Sequence, residues 1–242
     1  MPFAHLGQLR VRLLAAAVFL LLARPLLNAQ QPTASSALLA QFRDTAVFWR
    51  QLEVAQHLAA LHDPGVLPAL EPYLNDDDRH LRANAAYVFA ALDDPRGLVT
   101  LTDILADRTS ARRKAQGIPG GNWSTRAQIR ADRYYAVNVL GVLESPRALP
   151  VLIPLLHDPA LNYEVPWALA EIGDPAAIGP LTQALSDPSS DVRVAAIEAL
   201  VHLHAREALP QIRQLAGDTA PVHSGKPRTV ADAARVAITG LQ

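Results

Sequence analysis

The sequence predicts an all-α protein in which pairs of helices stack into a solenoid. Three observations carry this prediction: a turn motif that recurs about every thirty residues, two amphipathic helical patterns between successive turns, and an aspartate that follows every second helix. Half of the 242 residues are apolar. This is enough to build a buried core, and it excludes disorder caused by low hydrophobicity.

The turn motif occurs five times and defines the repeat. Its copies are HDPGVLPAL, DDPRGLVTL, ESPRALPVL, GDPAAIGPL and HAREALPQI, with second residues Asp63, Asp94, Ser145, Asp174 and Ala205. Successive copies lie 31, 51, 29 and 31 residues apart. A period of this length is typical of helical repeat arrays. The one long interval indicates an insert of some twenty residues between the second and third units.

Each unit contains two helices with an apolar face. One column of the first helix holds Leu58, Phe89, Leu140, Leu169 and Leu200, and one column of the second helix holds Leu70, Leu101, Leu152, Leu181 and Ile212. Neither helix buries its apolar face alone, so neighbouring units have to stack. Pro72 and Pro154 fall inside second helices. Because proline removes a helical hydrogen bond, we expect irregular second helices in those two units.

An aspartate occupies the same position after every second helix. The five copies are Asp76, Asp107, Asp158, Asp187 and Asp218. A carboxylate there can accept backbone N–H bonds where the next first helix begins and stabilise its positive end. A shared metal track along this column is disfavoured, because stacked units lie roughly 10 Å apart.

Residues 165–200, VPWALAEIGDPAAIGPLTQALSDPSSDVRVAAIEAL, resemble the HEAT-repeat superfamily, most closely its short bacterial phycocyanobilin-lyase-like repeats. The resemblance covers five units and a final half unit. It implies a right-handed α-solenoid of about five and a half helix pairs, with the second helices lining a concave face. That face would carry Glu71, Thr102, Asp103, Gln183, Arg213 and Gln214. The superfamily includes scaffolds, lyases and hydroxylases, so the resemblance does not imply one activity.

The N-terminal segment predicts export. Arg10 and Arg12 precede an uncharged apolar run over residues 13–23, and Ala29 ends a short exit sequence. This layout predicts a signal peptide over residues 1–29, and an uncleaved N-terminal anchor is the alternative.

The predicted domains are the signal peptide over residues 1–29, a lead-in over residues 30–45 and the solenoid over residues 46–242, with inserted loops at 108–130 and 219–229. The expected location is periplasmic or extracellular, with no stable membrane span after cleavage.

The inserted loop at 108–130 is basic. Between Asp107 and Asp132 every charged residue is positive, and the candidate contact residues are Arg112, Arg113, Lys114, Trp123 and Arg126. Arginine and tryptophan dominate interface hot spots. Three interpretations stay open: a passive solvated loop, a contact site for an acidic exported partner, or an anion site made with the repeat edge.

Two aromatic residues of the first helices share one column. Tyr87 and Trp167 stand where the other copies have Gln56, Asn138 and Glu198. This variation indicates an exposed stripe, so both residues are candidates for a partner surface, with half-buried packing as the alternative.

No catalytic motif is present in the sequence. The chain has no cysteine, and none of its eight histidines precedes a glutamate. The di-iron site of HEAT-like deoxyhypusine hydroxylases, which uses His-Glu pairs, therefore does not carry over. His62, Asp93, Glu144 and His204 share a column at the turn, but stacking separates them. A metal site is therefore not predicted.

The sequence thus predicts a non-catalytic interaction scaffold without a cofactor, which binds a protein or peptide partner, possibly an acidic one. A net charge of −1 gives no argument for nucleic acid. The alternative is an enzyme or cofactor lyase on the same solenoid. Bilin lyase activity in particular is disfavoured here, because a signal peptide would separate the chain from cytoplasmic phycobiliproteins.

Overall fold

The computed structural model describes residues 33–109, 125–223 and 229–242. The chain divides into two compact units, Met1–Ala37 and Leu38–Gln242, and the helical repeats lie in the second. The predicted signal peptide lies outside the described residues. Helix α1 (Ala34–Asp44) occupies most of the predicted lead-in. No helix among the described residues is long and apolar enough to cross a membrane.

The predicted repeat of helix pairs is confirmed. The first helices are α2 (Phe48–Ala60), α4 (Arg79–Ala91), α6 (Thr125–Val142), α8 (Val165–Ile172) and α10 (Ser190–His202), and α12 (Val230–Leu241) forms the final half unit. The second helices are α3 (Leu67–Leu70), α5 (Pro95–Ala106), α7 (Leu149–Leu152), α9 (Ile178–Ala184) and α11 (Leu209–Gln214). Each first helix packs against the next along the array.

The second helices of the first and third units are irregular, as the two prolines predict. Helix α3 gives way to a 3-10 helix over Glu71–Asn75, and α7 gives way to one over Ile153–His157. Pro72 and Pro154 are each the second residue of these 3-10 segments. The proline ring excludes an α-helical hydrogen bond at that position, so the helix changes its winding.

The two predicted apolar columns form the centre of the core. All ten side chains named for them in the sequence are fully buried. They belong to one continuous cluster that runs through all the units. Removal of this surface from water by neighbouring helices stabilises the stack, because no single unit buries its own faces.

The turn column has a backbone role. His62, Asp93, Glu144 and His204 all adopt positive φ angles between 50° and 66°, and Gly173 occupies the same place with φ 73°. Each of these residues lies within two residues of the end of a first helix, where the chain reverses towards the second helix. The left-handed conformation, and not metal binding, is therefore what these positions share.

Every aspartate of the column accepts a backbone N–H bond, but only Asp76 and Asp187 accept it where the next first helix begins, as predicted. In all five copies Oδ1 accepts the N–H two residues further on, over 2.7 to 3.0 Å. In three units Oδ2 also accepts from an arginine of the preceding first helix: Arg79 to Asp107, Arg133 to Asp158, and Arg193 to Asp218. This ion pair ties the first helix to the segment that follows the second helix within one unit.

The predicted extent of the larger insert is wrong at its C-terminal end. Residues 125–130 belong to α6, which continues through the predicted loop boundary. The segment TRAQIRADRYY contains no glycine or proline, and its alanine, glutamine and arginine residues favour helix. In the smaller insert, Pro221 and Thr229 form an isolated antiparallel bridge, and Thr229 caps α12.

The left-handed turn predicts a stabilising substitution. His204→Gly should raise the free energy of unfolding by about 0.5 to 1 kcal/mol, because relief of the left-handed strain exceeds the added entropy of the unfolded chain. The measurement is urea denaturation of the purified protein. His204→Val serves as the matched control and should have a lower free energy of unfolding than the native protein. A glycine variant that is less stable than the native protein would contradict the left-handed strain assigned to His204.

Candidate functional site

A step between neighbouring first helices creates a cleft in the structure. In units one, two and five the first helix begins fifteen residues before the second residue of its turn motif. Helix α6 begins twenty residues before that point, and α8 begins only nine residues before it. At a rise of 1.5 Å per residue, this early start makes α6 project about 7 to 8 Å beyond the start of its neighbour α4. On its other side the turn at residues 158–164 replaces the start of α8.

The cleft beneath the projecting end of α6 holds a cavity of about 560 Å³, here called the aromatic pocket. Its lining residues come from four successive units: Phe48, His80, Ala127, Arg130, Ala131, Tyr134, Tyr135, Pro159, Ala160, Asn162, Tyr163 and Glu164. The five rings among them make its wall largely aromatic. A concave, mainly apolar surface with a few polar groups is the usual form of a small-molecule site.

Three of these rings form a compact cluster. His80 stacks on Phe48 with ring centroids 4.3 Å apart and an interplanar angle of 13°. Tyr135 meets both rings edge-on, at 5.0 Å from Phe48 and 4.6 Å from His80. Because each ring comes from a different unit, the cluster also joins units one, two and three.

A buried hydrogen-bond chain holds Tyr135 in place. Its hydroxyl donates to Oδ1 of Asn84 over 2.6 Å. Nδ2 of Asn84 donates in turn to Oε1 of Gln51 and to the carbonyl oxygen of Phe48. Burial raises the pKa of Tyr135, so its hydroxyl stays protonated. This side of the pocket is therefore preorganised by fully satisfied polar groups.

An ionic cluster lies directly behind the histidine. The Arg79 side chain is 3% exposed and donates to Oδ2 of Asp132 over 3.0 Å and to Oδ2 of Asp107 over 2.6 Å. Nε2 of His80 lies 3.8 Å from Oδ1 of Asp132. Partial burial by itself would raise the pKa of Asp107, but hydrogen bonds from Thr109 and Arg79 outweigh it and hold that pKa at about 2.

A second cavity adjoins the aromatic pocket and is basic. This arginine groove, of about 690 Å³, is lined by Arg108, Arg126, Ile129, Arg130, Arg133, Asp158, Pro159 and Ala160. Four guanidinium groups thus face one carboxylate. Burial opposes the ionisation of Asp158, but the hydrogen bonds from Arg133 and Ala160 and the charges of the arginines together outweigh it and lower the pKa of Asp158, so it remains charged.

A third, shallower cavity of about 320 Å³ lies on the other flank of the pocket. It shares Tyr134, Tyr163 and Glu164 with the aromatic pocket and also includes Trp167. Burial raises the pKa of Glu164, while its hydrogen bond with Tyr134 and the charge of Arg130 oppose that rise. Glu164 is thus a carboxyl group with an elevated pKa at the mouth of an aromatic cleft.

The structure places the predicted contact residues in different environments. Arg126 lies in the arginine groove and Trp167, 41% exposed, lies beside the aromatic pocket. Of the two interpretations of Tyr87, the structure agrees with packing and not with an exposed stripe, because this residue is only 9% exposed and lies inside α4, which packs between α2 and α6. The remaining predicted contact residues, Arg112, Arg113, Lys114 and Trp123, lie outside the described residues.

The aromatic lining was missed at the sequence level. Two signals were available: the consecutive tyrosines Tyr134 and Tyr135, and Pro166 at the start of α8, which shows that this helix begins late. Neither signal connects Phe48 or His80 to the same cavity.

No group of three or more His, Asp or Glu side chains in the described ranges could hold a metal ion. The residues described therefore do not fit the di-iron centre that a resemblance to deoxyhypusine hydroxylases implies, and no step through a metal is derived below.

The fold defines a helical repeat protein with a cleft at the step between successive first helices. Family models described as HEAT repeats match residues 35–118 and 126–188, and a further HEAT repeat model matches residues 177–205. The chain belongs to the HEAT-repeat family.

Curated relatives include proteins of known activity class. The chain is 34% identical over 142 residues to the bilin biosynthesis protein PecE of Mastigocladus laminosus, and 32% identical over 142 residues to PecE of a Nostoc species. These matches cover 57% of this chain, and 48% and 51% of the relatives. It is also 32% identical over 106 residues to rat deoxyhypusine hydroxylase, over 42% of this chain and 35% of the relative. The chain thus spans about half the length, or less, of these relatives.

Solved structures similar to the chain include two engineered repeat-like proteins. One engineered protein shares 17% identity, with 84% of this chain and 94% of that chain covered and a TM-score of 0.41. A designed armadillo repeat protein shares 18% identity, with 85% and 99% covered and a TM-score of 0.41.

The expectation of a non-catalytic scaffold is wrong. It rested on the absence of catalytic motifs, but the curated relatives are a bilin biosynthesis protein and a hydroxylase. The absence of a local motif does not exclude an activity, because a site assembled from several units, as the aromatic pocket is, leaves no such motif in the sequence.

The ionic cluster behind the pocket predicts a pH dependence of stability. Because the folded-state pKa of Asp107 is about 2, below its ordinary 3.8, its contribution is fully present above about pH 4 and is lost as the pH falls towards 2. Asp107→Asn should therefore lower the free energy of unfolding by about 2 kcal/mol at pH 7.

Denaturant unfolding between pH 7 and pH 2.5 measures this difference. The gap between Asp107→Asn and the native protein should shrink as the pH falls below 4. The exposed Asp103, replaced by Asn, is the matched control and should change the free energy of unfolding by less than about 0.5 kcal/mol. A gap that is constant across this range would contradict the assignment.

Proposed function

We propose that this chain is an enzyme of the bilin lyase type that binds a linear tetrapyrrole in the aromatic pocket. The observation that carries the proposal is an open, aromatic-lined cavity of about 560 Å³ in a chain that is 34% identical over 142 residues to a bilin biosynthesis protein. The proposal concerns ligand binding and processing by this chain, which spans about half of that relative.

The size and lining of the pocket suit a conjugated ring system. Its volume lies inside the range of about 300 to 1,000 Å³ that is typical of sites for small molecules and cofactors. Tyr134 and Tyr163 stand at its mouth, and Phe48, His80 and Tyr135 form a rigid cluster on one side. Aromatic side chains bind flat π-systems by offset or edge-on contact, and a linear tetrapyrrole offers four such rings.

Glu164 is the residue best placed to exchange protons with the ligand. It lines the pocket, and its pKa is raised by burial. A carboxyl group with an elevated pKa can act as a general acid or base near neutral pH. The pyrrole nitrogens of a bilin are the groups of the ligand that gain or lose a proton. Glu164→Gln should leave ligand affinity nearly unchanged and alter the pH dependence of the bound ligand's visible absorption.

A protein partner belongs to this proposal as the acceptor of the cofactor. HEAT arrays present long surfaces formed by successive units, and a lyase must meet the protein that receives its ligand. The basic character of Arg112, Arg113 and Lys114 supports an acidic face on that partner. The net charge of −1 gives no support for a nucleic-acid partner.

Export remains a separate proposal that rests on Arg10, Arg12 and the apolar run that follows them. Ligand binding in the pocket does not depend on the compartment, although export would restrict the acceptor to proteins outside the cytoplasm. The intact mass of the protein isolated from its host tests this proposal. A mass that includes residues 1–29 would contradict signal cleavage.

Tyr134→Ala tests the site directly. Tyr134 is 45% exposed and lines both the aromatic pocket and the shallow cavity beside it, so its loss should remove ring contact without unfolding the protein. We expect at least about a tenfold weaker affinity for biliverdin, the probe for linear tetrapyrroles. The measurement is titration followed by the visible absorption of the ligand.

Trp49→Ala is the matched control, since Trp49 is an aromatic residue 57% exposed and outside the pocket lining. The affinity of the Trp49→Ala variant for biliverdin should equal that of the native protein. Absence of saturable binding by the native protein would refute the proposed function, and an unaltered affinity of Tyr134→Ala would refute the proposed site.

A further inference from the structure

The arginine groove and the aromatic pocket are two parts of one surface. They share Arg130, Pro159 and Ala160, so a single ligand can reach both. The shared wall is formed by the projecting end of α6 on one side and by the turn that replaces the start of α8 on the other.

Two of the four arginines in the groove are already held by the protein. Nε of Arg133 donates to the carbonyl oxygen of Leu105 over 2.7 Å and Nη2 donates to Oδ2 of Asp158 over 2.5 Å. Nη1 of Arg108 donates to the same carbonyl oxygen over 2.6 Å, and Nη2 lies 3.9 Å from Asp158. The single carboxylate of Asp158 thus lies next to both guanidinium groups, and the groove keeps an excess of positive charge.

The other two arginines stand on an exposed face of α6. Arg126 and Arg130 are four residues apart and therefore neighbours on the helix surface. Within the described residues neither has a carboxylate at ion-pair distance, although Arg130 attracts Glu164 across the pocket. The arrangement is unfavourable by itself, because like charges at this spacing repel and cations at a helix N-terminus oppose its dipole. A bound anion would relieve both costs.

We propose that the arginine groove binds the ionised carboxylate arms of the ligand whose ring system lies in the aromatic pocket. This inference rests on the proposed function and narrows its substrate class to conjugated linear tetrapyrroles with free acidic side chains. Planar guanidinium groups match carboxylates with two parallel hydrogen bonds. Arg126 and Arg130 are the exposed pair that meets the ligand, and Arg133, held by Leu105 and Asp158, is the fixed charge behind them.

The test compares biliverdin, a diacid, with its dimethyl ester, which keeps the conjugated system and lacks both charges. Both are titrated in the same solvent into the native protein and into the double variant Arg126→Gln, Arg130→Gln. The native protein should bind the diacid at least about tenfold more tightly than the diester, as expected for charge-assisted hydrogen bonds. The double variant should lose that preference and bind the diester as the native protein does.

The double variant Arg206→Gln, Arg213→Gln is the matched control, because it removes the same charge from exposed positions of the fifth unit outside the groove. It should retain the full preference for the diacid. In addition, added salt should weaken the binding of the diacid more than that of the diester, since ionic strength screens exposed charges.

The outcomes separate the two proposals. Equal affinity of the native protein for diacid and diester overturns the carboxylate assignment and leaves the aromatic pocket as the bilin site. A preference that survives in the groove variant, or that is lost equally in the control variant, overturns the assignment to Arg126 and Arg130. Failure of both ligands to bind overturns the proposed function and this inference together.

Discussion

Burial of the repeated apolar columns between successive first helices is the constraint on which the rest of the structure depends. Leu58, Phe89, Leu140, Leu169 and Leu200 are buried only because each first helix lies against the next. The stack determines which side chains of different units become neighbours. Every functional feature described above, including the three-ring cluster, is a contact across those stacked helices.

The cleft is a local departure from that regular stack. Helices of equal length would present flush ends, and no cavity would open between them. The early start of α6 and the late start of α8 replace the flush ends with a step, and the step exposes aromatic and basic residues that a regular array would cover. Tyr87 shows the contrast, since it lies between full-length neighbours and is buried.

Polar contacts hold the step in place. Asp107 and Asp158 each use one carboxylate oxygen for the backbone turn and the other for an arginine of the preceding first helix. The pair between Arg133 and Asp158 therefore fixes both the end of one unit and the wall of the groove. The same residues therefore support the repeat and line the candidate site.

The sequence by itself determined the repeat. Stacking requires an apolar residue at the same buried position of every repeat unit, so the pattern recurs along the chain. It also determined the irregular second helices, through Pro72 and Pro154, and the backbone role of the aspartate column. Its basic insert pointed to the edge at which the groove lies, through Arg126. These features are local or periodic, and periodicity is visible within one chain.

Only the tertiary structure decided where the pocket lies and which residues line it. Phe48, His80, Tyr135 and Tyr163 come from four different units, and no spacing rule relates them. Their meeting depends on the relative positions of the helix ends, which differ by a few residues that sequence periodicity does not resolve. For the same reason Tyr87 and Trp167, equivalent in the repeat, have opposite exposure: α4 lies between two helices that are at least as long as itself, whereas α8 is short and begins late.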